Sequence, residues 1–222
     1  MIYSNLLGGS IMNMIEKMNS NFKENKIFYL LVLTFFFVGI LLGAYTIKYM
    51  DGVDAKDLSD YFTGFIKSII NQEIKTNELL ISIIKNNILT ILLIIALGFT
   101  IFGAPLILII DLVKGFTLGY TFSFLLTTFE GKGIWIALIS TVPQNLLYIP
   151  FFVGISIISL ELSSAKIKEK FFGGVRFNKE IYSGLFMKLS FFFALFILGV
   201  LIECYLSPEL IKLVVTNVYK LT

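Results

Sequence analysis

The sequence predicts an all-α polytopic membrane protein, a bundle of about five transmembrane helices with one extracytoplasmic amphipathic helix. Three observations carry that prediction. Hydrophobic residues make up 57% of the 222-residue chain and charged residues 15%, where a soluble domain carries about 25% charged residues; mean hydropathy is +0.88. The apolar residues fall in runs of the length that a hydrocarbon core of about 30 Å demands of a helix. Lysines gather before the first run and in one later segment, as the positive-inside rule expects of cytoplasmic stretches. A chain of this length holds several spans and leaves no room for a soluble catalytic domain.

The first span is Ile27 to Ile47, uncharged and bracketed by Lys26 and Lys48. Residues before it lack the compact basic start and small-residue cleavage site of a signal peptide, so the helix is expected to stay in the mature protein. Lys17, Lys23 and Lys26 make residues 1–26 a cytoplasmic N-terminal segment. The stretch 48–85 is then extracytoplasmic, and its acids outnumber its lysines. Within it Leu58, Tyr61, Phe62, Phe65, Ile66 and Ile69 follow i, i+3, i+4 spacing, with Asp57, Asp60 and Lys67 between them. This predicts an amphipathic helix N-capped by Asp54. Its apolar face either lies on membrane lipid or the bundle, or docks an extracytoplasmic partner.

Spans two and three share the region from Asn86 to Phe129. Gly103-Ala104-Pro105 offers a helix stop followed by a proline suited to a first turn. A turn there would put Asp111 and Lys114 on one face of the third span, able to neutralise each other. Alternatively, Asp111 to Lys114 is itself the short connection. Glu130 to Gly133 is a polar turn, and Ile134 to Leu160 a long fourth span. The loop 161–180 carries Lys166, Lys168, Lys170, Arg176 and Lys179, a basic cytoplasmic surface suited to anionic lipid. The fifth span runs from Ile181 to Ile202, with Lys188 snorkelling near its start. The membrane domain is thus 27–206, and 207–222 is an extracytoplasmic tail.

Histidine is absent and Cys204 is the sole thiol. This removes His general bases, His or Cys metal sites and intrachain disulfides, so neither metal nor cofactor is expected. Serine and threonine occur within spans, but no spacing sets a neutral Lys114 or Lys188 beside one as a base. No Walker motif, dinucleotide fingerprint or nucleic-acid module is present. The chain reads as a non-enzyme without a catalytic residue.

Two motif classes remain. Gly39 and Gly43, and Gly115 and Gly119, are GxxxG pairs that permit close helix approach, either within the monomer or at a homodimer seam. Ser140-Thr141-Val142-Pro143-Gln144-Asn145 through Pro150 interrupts the fourth span with two prolines and two amides. Each amide needs partners, because an unpaired one in an apolar medium costs about 2–7 kcal/mol. Pro143 also frees the carbonyl of Ile139, which Gln144 or Asn145 could serve. The segment is therefore a satisfied kink, or part of an intramembrane polar centre with Asp111 and Lys114.

Gly-Ile-Leu-Leu-Gly-Ala in the first span, Gly103-Ala104-Pro105, Lys114-Gly115-Phe116-Thr117-Leu118-Gly119-Tyr120 and Val142-Pro143-Gln144-Asn145-Leu146-Leu147-Tyr148-Ile149-Pro150 stand in an order that resembles the stage II sporulation protein M family over about Ile27 to Leu206. The resemblance implies a non-enzymatic, multi-pass scaffold in the cell membrane of an endospore former, N-terminus inside and C-terminus outside. It further implies a place in the mother-cell septal membrane during engulfment. Its partners would be the peptidoglycan hydrolases stage II sporulation proteins D and P, which it recruits and organises. The wider family commonly has Pro-His-Gly and a glutamate where this chain has Pro143-Gln144-Asn145 and Tyr148, which aligns the chain with the sporulation branch. The alternative is a small-solute transporter or permease using the polar centre.

Overall fold

The computed structural model describes residues 26–71, 76–128, 133–172 and 179–219. Its elements are α1 (Lys26–Lys48), α2 (Gly52–Asn71), α3 (Thr76–Gly98), α4 (Gly103–Thr128), α5 (Gly133–Phe172) and α6 (Lys179–Leu201), then a single π turn (Ile202–Leu206) and α7 (Ser207–Tyr219). No strand occurs among the described residues. Among the described residues, five helical stretches are long and apolar enough to cross a membrane: α1, α3, α4, α5 to Phe171, and Lys188–Val214, which joins α6, the π turn and the start of α7.

Side-chain pairings set the direction of each span. Gly39 and then Gly43 of α1 face Leu112 and then Phe116 of α4, so these two helices run parallel. Asp111 meets Ser156 and Ala104 meets Ser163, so α5 runs back against α4. Lys188 pairs with Glu161 at 3.6 Å while Tyr148 reaches Glu203, which makes α6 antiparallel to α5. Gly98 lies against Ser159, and the Thr76 carbonyl accepts from the Cys204 thiol. The spans therefore alternate in direction, giving the bundle a Lys26 end and a Lys48 end.

Helix α5 is the axis. In its membrane-length window 72% of residues are buried, against 22% or less in the other four spans. Phe151, Ile155 and Leu160 of α5 pack with Ile91 and Ile94 of α3, and with Ile107 of α4. The Phe151 ring stacks on Phe196 of α6 at 4.9 Å between centroids. Leu41, Leu89, Leu146 and Leu198 point outward and exposed, as residues do where lipid tails are as apolar as the interior.

Small residues allow the closest approach, between α1 and α4. A Cβ at Gly39 or Gly43 would strike the backbone of Leu112, Phe116 or Tyr120. One at Gly115 or Gly119 would strike that of Phe36 or Ile40. The two GxxxG pairs thus interlock with each other inside one chain.

Of the two readings of the second connection, the structure has the Gly-Ala-Pro one. The turn occupies Phe99 to Phe102, and Gly103-Ala104-Pro105 opens α4, leaving Asp111 and Lys114 well inside it. Ser163 of α5 holds this turn, donating to the Thr100 carbonyl at 2.9 Å and accepting from the Ala104 amide at 3.1 Å. Ser163 is itself fully buried, and Ser163→Ala leaves the Ala104 amide without that partner and the Thr100 carbonyl with the longer bond from the Gly103 amide. A loss of about 1–3 kcal/mol is expected, read as a lowered thermal midpoint of the purified protein in detergent.

Four boundaries differ from the sequence-based expectation. Helix α2 begins at Gly52, so Asp54 lies in its first turn and is not its N-cap. Span two begins at Thr76, before Asn86, because Lys85 is exposed on the helix rim and does not end the helix. The stretch from Glu161 to Phe172, expected as loop, continues α5. Its Ala and Lys residues favour helix, and Lys166 pairs with Glu169 at 3.4 Å one turn on. The expected tail from Ser207 is the amphipathic helix α7, started by Pro208 and Glu209 in its first turn. Its Ile211 and Val214 pack on Phe124 and Ile136. The N-terminal segment to Asn25, most of the Glu130 to Gly133 turn, and Arg176 lie outside the described residues.

Candidate functional site: a polar cavity inside the bundle

Helix α5 continues through Pro143 and Pro150, the former half-buried and the latter exposed. The side-chain amides that follow Pro143 are each satisfied one turn back. Gln144 donates through Nε2 to the Ser140 carbonyl, and Asn145 donates to the Thr141 carbonyl at 2.7 Å. The carbonyls served are thus Ser140 and Thr141, not that of Ile139. Gln144 has a second role: its Oε1 accepts from the Ser207 hydroxyl at 3.0 Å.

One turn further along α5, the Tyr148 hydroxyl donates to Glu203 Oε2 at 2.6 Å. Gly199 makes room for the Tyr148 ring, which a Cβ there would meet. Glu203 lies within the π turn, which the Ser207 amide closes by bonding to the Ile202 carbonyl. Residues four apart share a helix face. Gln144 and Tyr148 on α5 are therefore matched by Ser207 and Glu203 on the other side of the contact. The inserted residue of a π turn rotates the helix beyond it, and here the wider turn contains Glu203 and ends at Ser207.

Opposite this ladder stands Lys114 of α4. Its Nζ lies 3.5 Å from Asn87 Oδ1 and 4.5 Å above the Phe152 ring, a distance at which an aromatic face attracts a cation. Asn87 is oriented by its own donation to the Ile83 carbonyl at 3.1 Å. Lys114, Asn87, Gln144, Asn145, Tyr148 and Glu203 together line a cavity of about 370 Å³. By helical rise, Lys114 is about 16 Å along α4 from Gly103, near the middle of that span.

Asp111 does not join this centre. It is 2% exposed and accepts from the Ser156 hydroxyl at 2.6 Å, while its Oδ2 has no hydrogen-bond partner. Three residues of helix turn the side-chain direction by about 60° short of a full circle. That offset sends Asp111 to Ser156 and the Lys114 stem past Phe152 to Asn87, so the expected mutual neutralisation is not what the structure shows. Sequence reasoning missed Glu203, Asn87 and Ser156. Glu203 and Asn87 sat beside assumed helix ends, where a polar residue needs no explanation. Cys204 is buried and packs at the Thr76 end of α3.

At the Lys48 end, Leu58 of α2 is half-buried against the cluster of Ile47, Phe124 and Ile136, whereas Tyr61 is 75% exposed. The side chains of Phe62, Phe65, Ile66 and Ile69 lie outside the described residues.

The crossing spans, the central α5 and the charged cavity within it define a polytopic all-α membrane protein with a polar interior. Residues 32–208, most of the chain, match the family model described as Stage II sporulation protein M. The chain belongs to that family, and is a membrane protein with a role in sporulation. No match was found among curated proteins or among solved structures.

Proposed function

We propose that this protein is a non-enzymatic membrane scaffold of engulfment. It recruits and organises the peptidoglycan hydrolases, stage II sporulation proteins D and P, at the mother-cell septal membrane. Family membership supports the setting. The observation that carries the scaffold reading is α2: anchored inward by Leu58, it leaves Tyr61 standing free of the bundle at the Lys48 end. Charge supports the orientation. Asp51, Asp54, Asp57 and Asp60 are exposed at the Lys48 end, whereas Lys168 and Lys170 are exposed on the opposite extension of α5, which the positive-inside rule assigns to the cytoplasm.

The variant carrying Phe62→Asp and Phe65→Asp is expected to lose co-purification with either hydrolase from crosslinked sporulating cells while still inserting in the membrane. Undiminished recovery of both hydrolases would remove α2 as the docking face. The cavity favours a second reading, a small-solute carrier, because opposite charges at mid-span serve solute paths. A flux into proteoliposomes that disappears in Lys114→Gln would support the carrier; no flux across a broad solute panel would count against it.

A further inference from the structure

The polar cavity has an apolar neighbour. A second cavity of about 350 Å³ runs between α1, α4 and α5, lined by Ile40, Phe122, Leu126, Val142 and Leu146 among others. The two share Leu118, Thr141, Asn145 and Ile149 as a common wall. Val142 and Leu146 are 45% and 71% exposed on the outer surface of the bundle, so the apolar cavity opens sideways, where acyl chains lie.

Lys114 and Glu203 attract one another across the polar cavity. Lys114 and Glu203 line the same space, yet among the described residues neither belongs to an ion pair. Each is held by neutral groups: Lys114 by Asn87 and the Phe152 face, Glu203 by the Tyr148 hydroxyl. Separated opposite charges within a membrane span are costly and are retained where a ligand or a path uses them. Their signs complement a head group that carries an anion and a cation together. The adjoining apolar cavity complements a hydrocarbon chain, and both volumes fall within the usual range of about 300–1,000 Å³ for ligand sites.

We propose that the two cavities together hold one membrane phospholipid with a zwitterionic head. Its phosphate sits at Lys114, its ammonium at Glu203, and an acyl chain lies along Val142 and Leu146. The site does not depend on the scaffold reading: it lies among and beside the membrane spans, whereas hydrolase docking is assigned to α2.

The test uses the full chain in neutral detergent, with bound lipid read by native mass spectrometry. The probes are phosphatidylethanolamine, phosphatidylglycerol and diacylglycerol of matched chains, with soluble phosphoethanolamine as competitor. Phosphatidylethanolamine is expected to be retained about tenfold better than the other two, with Lys114→Gln and Glu203→Gln each lowering its retention about tenfold. Leu146→Trp, a change at an exposed position that fills the apolar cavity, is expected to lower it while leaving the charges in place. Equal retention of all three lipids would mean a nonspecific lipid coat and would overturn the proposal. So would competition by phosphoethanolamine as effective as that of the whole lipid, which would assign the cavity to a soluble zwitterion. If a charge variant does not fold, the Leu146→Trp variant and the soluble competitor decide, and unchanged retention in Leu146→Trp would also overturn it.

Discussion

Replacing Gly39 and Gly115 together by leucine is expected to abolish recovery of folded, monodisperse protein, with each single replacement lowering the thermal midpoint sharply. The reason lies in the atoms that the new side chains would meet. At Gly39 the first obstacle is the carbonyl of Leu112, and at Gly115 that of Phe36. Overpacking against side chains costs about 1–3 kcal/mol because rotamers can adjust, but two helix backbones have no rotamer to change. The helices must separate, and the contact along α1 is lost. Gly154 provides the comparison, since a Cβ there meets the Phe192 ring rather than backbone. Gly154→Ala is therefore expected to cost less than Gly39→Ala. Fluorescence-detected size exclusion after a heating series measures both, and equal midpoints for these two alanine variants would contradict the backbone argument.

The second large effect belongs to Asp111 and Ser156. Ser156→Ala removes the hydrogen bond that Asp111 accepts and leaves the carboxyl group, already without a partner at Oδ2, with no bond at all. A hydrogen bond of this kind contributes about 0.5–1.5 kcal/mol, and stranding a buried acceptor adds its desolvation penalty of about 1–3 kcal/mol. Asp111→Ala in the Ser156→Ala background is expected to restore much of the loss, because removing both partners strands nothing. A double-mutant cycle on thermal stability reads this as coupling of about 1–3 kcal/mol. Strict additivity would show that the pair contributes nothing as a pair.

The spans were legible because lipid imposes one rule along each of them: about 20 apolar residues, every backbone group paired within the helix. Where that rule met residues tolerant of two environments, the boundaries moved. Lys85 reads as loop by charge, yet a long stem lets it ride on a helix. The segment after Glu161 reads as a basic loop, yet its residues are good helix formers extending α5 past the membrane-length window. The polar centre was half legible. Gln144 and Asn145 announced themselves by breaking an apolar run, and Lys114 by sitting within one. Glu203 gave no such signal. Its place is set by a π turn, a change of one residue in hydrogen-bond register that has no composition of its own. Asp111 was visible as an acid either within the third span or in a short connection, but its partner Ser156 was one small hydroxyl among several along α5, and only the packing angle chooses between them.

The parallel crossing of α1 on α4 also bears on the order of assembly. The glycine face of α1 finds its complement only once the chain through Tyr120 exists, so α1 enters the bilayer well before the helix it must grip. In the interval its grooved face meets acyl chains, while α2 is made and α3 is inserted. Contacts so far apart in sequence form late because the intervening loop must first be closed. Helix α1, made well before its partner, is thus among the last to be locked, and a weakened glycine seam would be felt during biogenesis, as degradation of a half-assembled chain, before it was felt as lost activity.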